Sequence, residues 1–352
     1  MARSDWLGTL VLALIVAVTG GRAAHAQGSD DPGPALPRVT DLKPAEDPDK
    51  VPVITSVALD DTGKLLASAG DDHLVRIWDV QEEKVLRRLA GHTGWVRVAV
   101  FSPQKGILAT AGDDRRINFY EVSAEQPLRS LEIPGVAIYA LAFSPDGKLL
   151  AAAGFDEKVR VYAAGSGELV RVLDGPGRDI RALGFSPDGF QLAAAGRSGR
   201  IRVWQSADGT RIRDLEGHRR RVHALVYSPD GSVLASAGDD RVIRFWNAAT
   251  GAALEPLPEL PCKVRCLAFC GADRLASGGS DNAIRVWDLA TRRQQRALSG
   301  HTGSVVALAW DATSRTLVSG SFDTTVRFWR LGQQPADRVS ERPAAARDDR
   351  VD

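Results

Sequence analysis

The chain repeats itself about every 42 residues, and this period restricts its fold more than any other feature. An aromatic residue ends each copy of a short alternating run, and successive copies lie 42, 42, 42, 42, 41 and 42 residues apart. The aromatic residues are Trp78, Tyr120, Tyr162, Trp204, Trp246, Trp287 and Trp329. So constant a spacing is typical of a chain that stacks one supersecondary unit many times.

Each period contains the signals of four short strands. The alternating run, such as Leu74–Trp78, is typical of a half-buried strand, and a second apolar stretch such as Leu65–Gly70 precedes it. Another strand ends in a Phe-Ser-Pro-Asp-Gly turn, as at Phe143–Gly147, and Val85–Leu89 is typical of the fourth. The sequence therefore predicts an all-β fold: a seven-bladed β-propeller of four-stranded antiparallel blades over residues 51–331.

These repeats resemble those of the WD-repeat family. The resemblance covers residues 51–331, and its seven in-phase copies make it specific. Two strands end in the Trp-Asp pair and three repeats open with a Gly-His pair: Trp78-Asp79, Trp287-Asp288, Gly91-His92, Gly217-His218 and Gly300-His301.

The resemblance implies a hydrogen-bonded relay of His, Ser or Thr, Asp and Trp inside each blade. Blades five and seven keep complete sets, namely His218, Ser236, Asp240, Trp246 and His301, Ser319, Asp323, Trp329. Blade two has Tyr120 in place of the tryptophan and keeps His92, Thr110 and Asp114. In blades three and four Ala152 and Ala194 replace the hydroxyl, which avoids a buried polar group without a partner.

The incomplete sets differ in what they retain. Blades one and six lack the histidine and keep Ser68, Asp72, Trp78 and Ser277, Asp281, Trp287. Blade three retains only Asp156, beside Tyr162, and blade four only Trp204.

A His-Ser-Asp set can also indicate a hydrolase. Here the set recurs around the ring, carries threonine in one copy and ends on an indole donor, so we interpret it as structural. No P-loop, dinucleotide-binding, HExxH or GxSxG motif occurs. We therefore expect no catalytic residue, no metal and no cofactor. The alternative is a propeller enzyme of hydrolase or lactonase type with a site at the channel mouth.

Partners of WD-repeat proteins dock on the face that carries the Gly-His loops. By position in the repeat, the resemblance implies that this face contains Asp71, Trp95, Asp113, Phe155, Arg197, Arg219, Arg221, Asp239, Lys263 and Phe322, together with Thr93, Ser280, Thr302 and Ser304. Trp95, Arg219 and Arg221 exceed what a turn needs, and we expect binding to depend on them. The ligand is a protein or peptide of mixed charge; a glycan is the alternative.

Charge and cysteine content restrict the partner and the compartment. Lys and Arg total 45 against 44 for Asp and Glu, a balance that argues against a nucleic-acid partner. We expect a monomer. Three cysteines cannot form a closed disulfide framework, and we expect Cys262, Cys266 and Cys270 to be small buried packing residues.

The first 26 residues have the pattern of a secretory signal peptide. Arg3 precedes an apolar run at Leu7–Val18, and Ala24-His25-Ala26 provides a cleavage site. The run is shorter than the roughly 17–25 residues of a spanning helix, so we expect no membrane span after cleavage; an uncleaved anchor is the alternative. The predicted location is extracytoplasmic: bacterial periplasm, cell surface or secreted.

The ends of the repeat region predict how the ring closes. Residues 27–50 are rich in proline and acidic groups, as a linker is, and residues 332–352 have the composition of a disordered tail. The last repeat stops one strand short. Residues 38–42, Arg-Val-Thr-Asp-Leu, form the only alternating apolar stretch before blade one, and we expect them to supply the outer strand of blade seven.

Overall fold

The computed structural model describes residues 52–104 and 106–331. The predicted signal peptide, the linker with its strand at residues 38–42, and the predicted tail lie outside these ranges. In the parts of the chain that are described, no helix is long and apolar enough to cross a membrane.

Within these described ranges, twenty-seven strands follow one another as seven sheets, the blades. Blade one contains β1 (Ile54–Leu59), β2 (Leu65–Gly70), β3 (Val75–Asp79) and β4 (Lys84–Leu89). Blade two contains β5 (Val96–Phe101), β6 (Ile107–Gly112), β7 (Arg116–Glu121) and β8 (Arg129–Glu132). Blade three contains β9 (Ile138–Phe143), β10 (Leu149–Gly154), β11 (Lys158–Ala163) and β12 (Leu169–Asp174). Blade four contains β13 (Ile180–Phe185), β14 (Gln191–Gly196), β15 (Ile201–Gln205) and β16 (Arg211–Leu215).

The remaining blades continue the pattern. Blade five contains β17 (Val222–Tyr227), β18 (Val233–Gly238), β19 (Arg244–Asn247) and β20 (Ala253–Leu254). Blade six contains β21 (Val264–Phe269), β22 (Arg274–Gly279), β23 (Ile284–Asp288) and β24 (Arg293–Leu298). Blade seven contains β25 (Val305–Asp311), β26 (Thr316–Ser321) and β27 (Val326–Arg330). The predicted seven-bladed propeller is confirmed.

Every blade is an antiparallel meander in which consecutive strands pair. In blade one, Leu66 of β2 lies opposite Leu59 of β1 and Trp78 of β3, and the other blades repeat this register. The first strands of neighbouring blades contact one another around the ring, and β1 contacts both β5 and β25. Blade one therefore closes the ring against blade seven.

The core lies between the blades. The second strand of each blade is almost wholly buried and rich in small apolar residues, as in LLASAG of β2 and LLAAAG of β10. Between blades one and seven, Leu66 and Trp78 pack with Val318 and Phe328. Burial of one such side chain stabilises the fold by about 1.5–3 kcal/mol. Outer strands such as β4 are largely exposed, so stability comes from the inner three strands.

The connections with Ser-Pro-Asp-Gly sequences are tight turns, as predicted. Ser144 Oγ donates to Asp146 Oδ1 at 2.6 Å, and the same carboxylate oxygen accepts from the Lys148 amide at 3.0 Å. Gly147 has a φ of 69°, a conformation that a glycine adopts without strain. These hydrogen bonds join residues within the turn itself, so the turn chemistry is local.

The three cysteines are free and buried, so their predicted role in packing is confirmed. Cys266 and Cys270 belong to the apolar cluster between blades six and seven. Burial raises the pKa of the Cys270 thiol to about 12, which keeps it protonated and unreactive at neutral pH.

Blade seven has three strands among the described residues, so the outer edge of β27 has no strand partner there. We expect deletion of residues 27–42 to lower the free energy of unfolding by several kcal/mol, because the edge and its packed side chains would be uncovered. Deletion of residues 332–352 is the matched control and should change stability little. Thermal melts of both truncations decide: equal melting temperatures would reject residues 38–42 as the closing strand.

Candidate functional site

The complete relays have the predicted geometry. In blade five, His218 Nδ1 lies 2.8 Å from Asp240 Oδ2 and Nε2 lies 2.7 Å from Ser236 Oγ. The Trp246 indole donates to the same hydroxyl at 2.9 Å. Blade seven repeats these contacts with distances of 2.8, 2.7 and 2.8 Å among its four predicted residues, His301, Asp323, Ser319 and Trp329.

The relay is modified where a member is missing. In blade two, His92 bonds Asp114 at 2.8 Å and Thr110 at 2.7 Å. The Tyr120 hydroxyl, which replaces the indole, instead donates to the Ala90 carbonyl at 2.8 Å. In blades one and six the indole–serine bonds remain although the histidine is absent, at 2.8 Å from Trp78 to Ser68 and 2.9 Å from Trp287 to Ser277.

An arginine replaces the missing histidine as the partner of the relay aspartate. The residue four positions after that aspartate donates to it in blades one, three and six. These pairs are Arg76–Asp72 at 2.6 Å, Arg160–Asp156 at 2.6 Å and Arg285–Asp281 at 2.5 Å. Sequence reasoning missed this substitution, although its signal is present: six of the seven aromatic runs have arginine two residues before the aromatic.

The relay aspartates of blades two, five, six and seven have lowered pKa values. Burial acts to raise the pKa of Asp240, but hydrogen bonding and attraction from His218 and backbone amides outweigh it, and the pKa is lowered. The Ser236 hydroxyl bonds both His218 and Trp246, and the residue is fully buried. A nucleophile must reach its substrate, so this geometry supports a structural role.

The relay should therefore matter for stability. Ser236→Ala would leave His218 Nε2 and the Trp246 indole without their partner, and we expect it to destabilise the fold by about 2–3 kcal/mol. Ser232→Ala, in an exposed turn of the same blade, is the matched control and should stay within about 0.5 kcal/mol of wild type. Urea unfolding of the two variants makes the comparison; equal midpoints would contradict a stabilising relay.

The structure gives the exposure of the residues predicted for the partner face. Its aromatic side chains are exposed: Trp95 by 40%, Phe155 by 57% and Phe322 by 49%. Several of its charged and polar residues are also exposed, namely Arg197, Arg219, Lys263, Thr93, Thr302 and Ser280. This face therefore combines separated apolar groups with basic ones.

Other predicted residues have intramolecular partners. Asp71 accepts a hydrogen bond from the Val53 amide at 2.8 Å. Arg221 pairs with Asp179 at 2.5 Å. Its charge therefore has a structural role, whereas the sequence indicated a residue that the turn does not need. The remaining aspartates, Asp113 and Asp239, pair with side chains at the channel mouth.

The partners of these aspartates lie near the start of the first, innermost strand of a blade. The second residue of this inner strand recurs every 42 or 41 residues around the ring. The residues are Thr55, Arg97, Tyr139, Arg181, His223, Arg265 and Val306. Most of them line the central cavity, of about 270 Å³. Sequence reasoning missed this ring because the alternation of each strand was used only to assign its fold. We call Arg97, Tyr139, Arg181, His223 and Arg265 the channel belt.

One half of the channel belt is a stack of rings and guanidinium groups. The Arg97 guanidinium carbon lies 4.5 Å from the Trp95 ring centre and 5.9 Å from that of Tyr139. The Arg181 guanidinium carbon lies 3.6 Å from the centre of the same Tyr139 ring. Arg97 also donates to both oxygens of Asp113, at 3.0 and 2.6 Å.

The other half is built around His223. Arg265 Nη1 lies 2.7 Å from His223 Nε2, and Asp239 Oδ1 lies 3.1 Å from the same nitrogen. Lys263 approaches that carboxylate at 4.0 Å. Next to the first half, Asp179 accepts from both Arg181 and Arg221, each at 2.5 Å.

The channel mouth is cationic. Its basic side chains are Arg97, Arg181, Arg221, Lys263 and Arg265, and the aspartates paired with them are Asp113, Asp179 and Asp239. The five positive charges exceed the three negative ones by two. The sequence predicted mixed charge on this face; at the mouth Asp113 and Asp239 are paired with Arg97 and Arg265, whereas Asp71 accepts from a backbone amide.

The electrostatics of the mouth also affect His223. Burial, and then the positive charge of Arg265, lower its pKa from 6.5 to about 4. The neutral imidazole accepts a hydrogen bond from Arg265. Protonation would remove this bond and add a further positive charge, although it would favour the contact with Asp239.

The lowered pKa predicts a pH dependence of stability. The unfolded chain takes up a proton at His223 near pH 6.5 but the folded chain only near pH 4, so stability is full above pH 6.5 and falls between these values. His223→Gln should reduce this fall by up to about 3 kcal/mol. Urea unfolding of wild type and variant at pH 7 and pH 4.5 tests it; parallel changes in both would contradict the assignment.

Among the described residues, no group of three or more His, Cys, Asp or Glu is placed to hold a metal ion. The apolar blades, the relays and the Gly-His loops define a propeller of four-stranded blades that carries its Gly-His loops on one face. Comparison with known proteins agrees with this class.

The WD40 family model, described as WD domain, G-beta repeat, matches seven segments that together cover more than half of the chain. They are residues 47–79, 83–121, 125–163, 167–205, 209–247, 255–288 and 292–330. The chain belongs to the WD40 repeat family, whose propellers typically serve as protein-interaction scaffolds.

Curated relatives match over single repeats. The chain is 46% identical over 41 residues to the nuclear distribution protein PAC1 of Coprinopsis cinerea, which is 12% of this chain and 9% of that protein. It is 43% identical over 44 residues to the DENN domain and WD repeat-containing protein SCD1 of Arabidopsis thaliana, which is 12% of this chain and 4% of that protein. The matched segments span less than a tenth of either relative.

Proposed function

We propose that this protein is a non-catalytic, extracytoplasmic, monomeric scaffold that binds a protein or peptide partner on the Gly-His loop face. The observation that carries the proposal is Trp95. It is 40% exposed beside the channel mouth, and Arg97 holds a guanidinium group 4.5 Å from the centre of its ring. Exposed aromatic residues next to arginine are enriched among the residues that dominate binding energy.

The surroundings of Trp95 support the same function. Phe155 and Phe322 are exposed on other blades of this face, and Arg197 and Arg219 add positive charge between them. A protein partner presents both apolar and polar groups over a surface wide enough to contact several blades. The relays lie below this surface and hold the loops, since the amides of Thr93 and Thr302 donate to relay aspartates.

The extracytoplasmic location rests on the sequence of the first 26 residues, with its apolar run and Ala24-His25-Ala26 cleavage site. It predicts a mature chain that begins at Gln27. The partner would then be another protein of the same compartment.

Substitutions on the two faces test the binding surface. The partner is first identified by crosslinking in the cell envelope. We expect Trp95→Ala to weaken its binding by about 1–3 kcal/mol and to leave the melting temperature nearly unchanged. Arg219→Glu should mainly slow association and reduce its salt dependence. Arg221→Glu is less informative, because it would place a carboxylate beside Asp179.

Matched controls lie on the opposite face. Phe190 is 70% exposed in a Ser-Pro-Asp-Gly turn, and Arg330 ends β27 in an exposed position. Phe190→Ala and Arg330→Glu should leave partner recovery unchanged. Loss of the partner in these variants but not in Trp95→Ala would move the interface to that face. Recovery of the protein from the envelope with Met1 retained would contradict cleavage before Gln27.

A further inference from the structure

The channel belt has hydrogen-bond donors that the aspartates of the channel mouth leave free. Arg181 donates through Nε to Asp179, whereas its two Nη groups have no acceptor among the described residues. The Tyr139 hydroxyl likewise has no hydrogen-bond partner within the described ranges. Both side chains line the central cavity. A guanidinium edge and a phenol are thus available to a ligand in the channel mouth.

These donors are held in fixed positions. The Arg181 guanidinium lies 3.6 Å from the Tyr139 ring centre, and its Nε is bonded to a carboxylate that is itself bonded by Arg221. The Arg181 side chain is 29% exposed and the Arg265 side chain 31%. Half-buried, pre-oriented cations lose little freedom on binding, and their charge is less screened than on an open surface.

The charge balance selects an anion. Five cations against three aspartates leave an excess of two positive charges at the mouth. His223 adds no charge at neutral pH, because burial and Arg265 lower its pKa to about 4. A ligand with a negative group would compensate this excess.

The remaining donors favour a carboxylate. The free edge of Arg181 is one planar fork of two nitrogens, the geometry that a carboxylate accepts with both oxygens. On this side of the mouth the free donors are that fork and the Tyr139 hydroxyl, which suit the two oxygens of a carboxylate but are few for the three acceptor oxygens of a phosphate.

The position of the belt favours an extended ligand. Trp95 touches Arg97 of the belt and also belongs to the exposed partner face. A chain that places one acidic side chain at the mouth therefore runs directly onto that face.

We propose that the channel belt binds the carboxylate of an acidic side chain in an extended peptide segment, through Arg181 and Tyr139 with Arg265, two blades further round the mouth. This proposal rests on the proposed function, since the segment would belong to the partner of the loop face. It assigns the central contact of that partner to an Asp or Glu residue.

A direct test uses defined peptides and the full chain. The probe is a fluorescein-labelled, end-capped peptide of alternating glutamate and glycine; the matched peptide has glutamine for glutamate. We expect polarisation to report binding of the glutamate peptide alone, weakening as salt rises. Arg181→Gln and Arg265→Gln should each weaken it about tenfold or more, and Arg330→Gln, on the opposite face, should not change it.

Folding and location are checked on the same variants. Arg181→Lys keeps the charge without the planar fork and should also weaken binding, with a melting temperature close to wild type. The imidazole resonance of His223 should shift when the glutamate peptide is added to wild type, because the ligand carboxylate would approach Arg265. The same resonance should stay unchanged with the glutamine peptide.

Several results would overturn the proposal. Equal binding of the two peptides would exclude a carboxylate contact, and equal loss in Arg330→Gln would exclude the channel mouth. Tighter binding of a phosphoserine peptide would assign a phosphate site, and displacement by an equal concentration of free succinate would assign a small-molecule site. If the glutamate peptide fails while Trp95→Ala still weakens the crosslinked partner, the carboxylate contact is wrong and the scaffold function stands.

Discussion

No blade can bury its apolar faces alone, so the packing between neighbouring blades determines the rest of the molecule. The second strands are built from residues such as Ala67, Ala151 and Ala235, which are fully buried and allow the sheets to approach closely. A ring of seven blades buries both apolar faces of every blade only if it is closed. The contact of β1 with β25 and β26 supplies that closure, and the position of every loop on the partner face follows from it.

Closure also explains why the boundaries of the sequence repeats do not coincide with the boundaries of the blades. The second family match, residues 83–121, begins at the outer strand of blade one and ends with the third strand of blade two. Each repeat thus reaches across one interface, and Gly-His pairs lie in the connections between blades. The arrangement leaves the last blade with three strands of its own among the described residues, which is the physical reason to seek a fourth from another part of the chain.

The sequence predicted the blades well because strand alternation and turn residues are local signals. The strand that contains Trp246 and the turn at Phe143–Gly147 needed no tertiary information. The relay in blade five was also predictable, since its four members recur at fixed spacing. Pairing between blades was not: the Arg221–Asp179 bond joins side chains 42 residues apart, and only the ring brings them together.

The same limit applies to the charge of the partner face. Reading Asp113 and Asp239 as exposed acidic groups gave a surface of mixed sign. In the folded chain each is bound by a cation from an inner strand, Arg97 or Arg265, whose side chain points into the mouth. Net charge from the sequence describes the whole molecule, whereas binding depends on the charges left unpaired at one site.

The relay and the channel belt show two different uses of buried charge. In blades one, three and six an arginine replaces the histidine opposite the relay aspartate, so the ion pair is complete within the blade. At the channel mouth the pairs are incomplete, because five cations, three of them in the belt, share three aspartates. Leaving half-buried cations without full compensation costs stability, and a fold under selection for stability alone would remove them. The uncompensated charge is therefore better explained by a ligand than by the architecture, since Thr55 and Val306 occupy equivalent positions in blades one and seven without any charge.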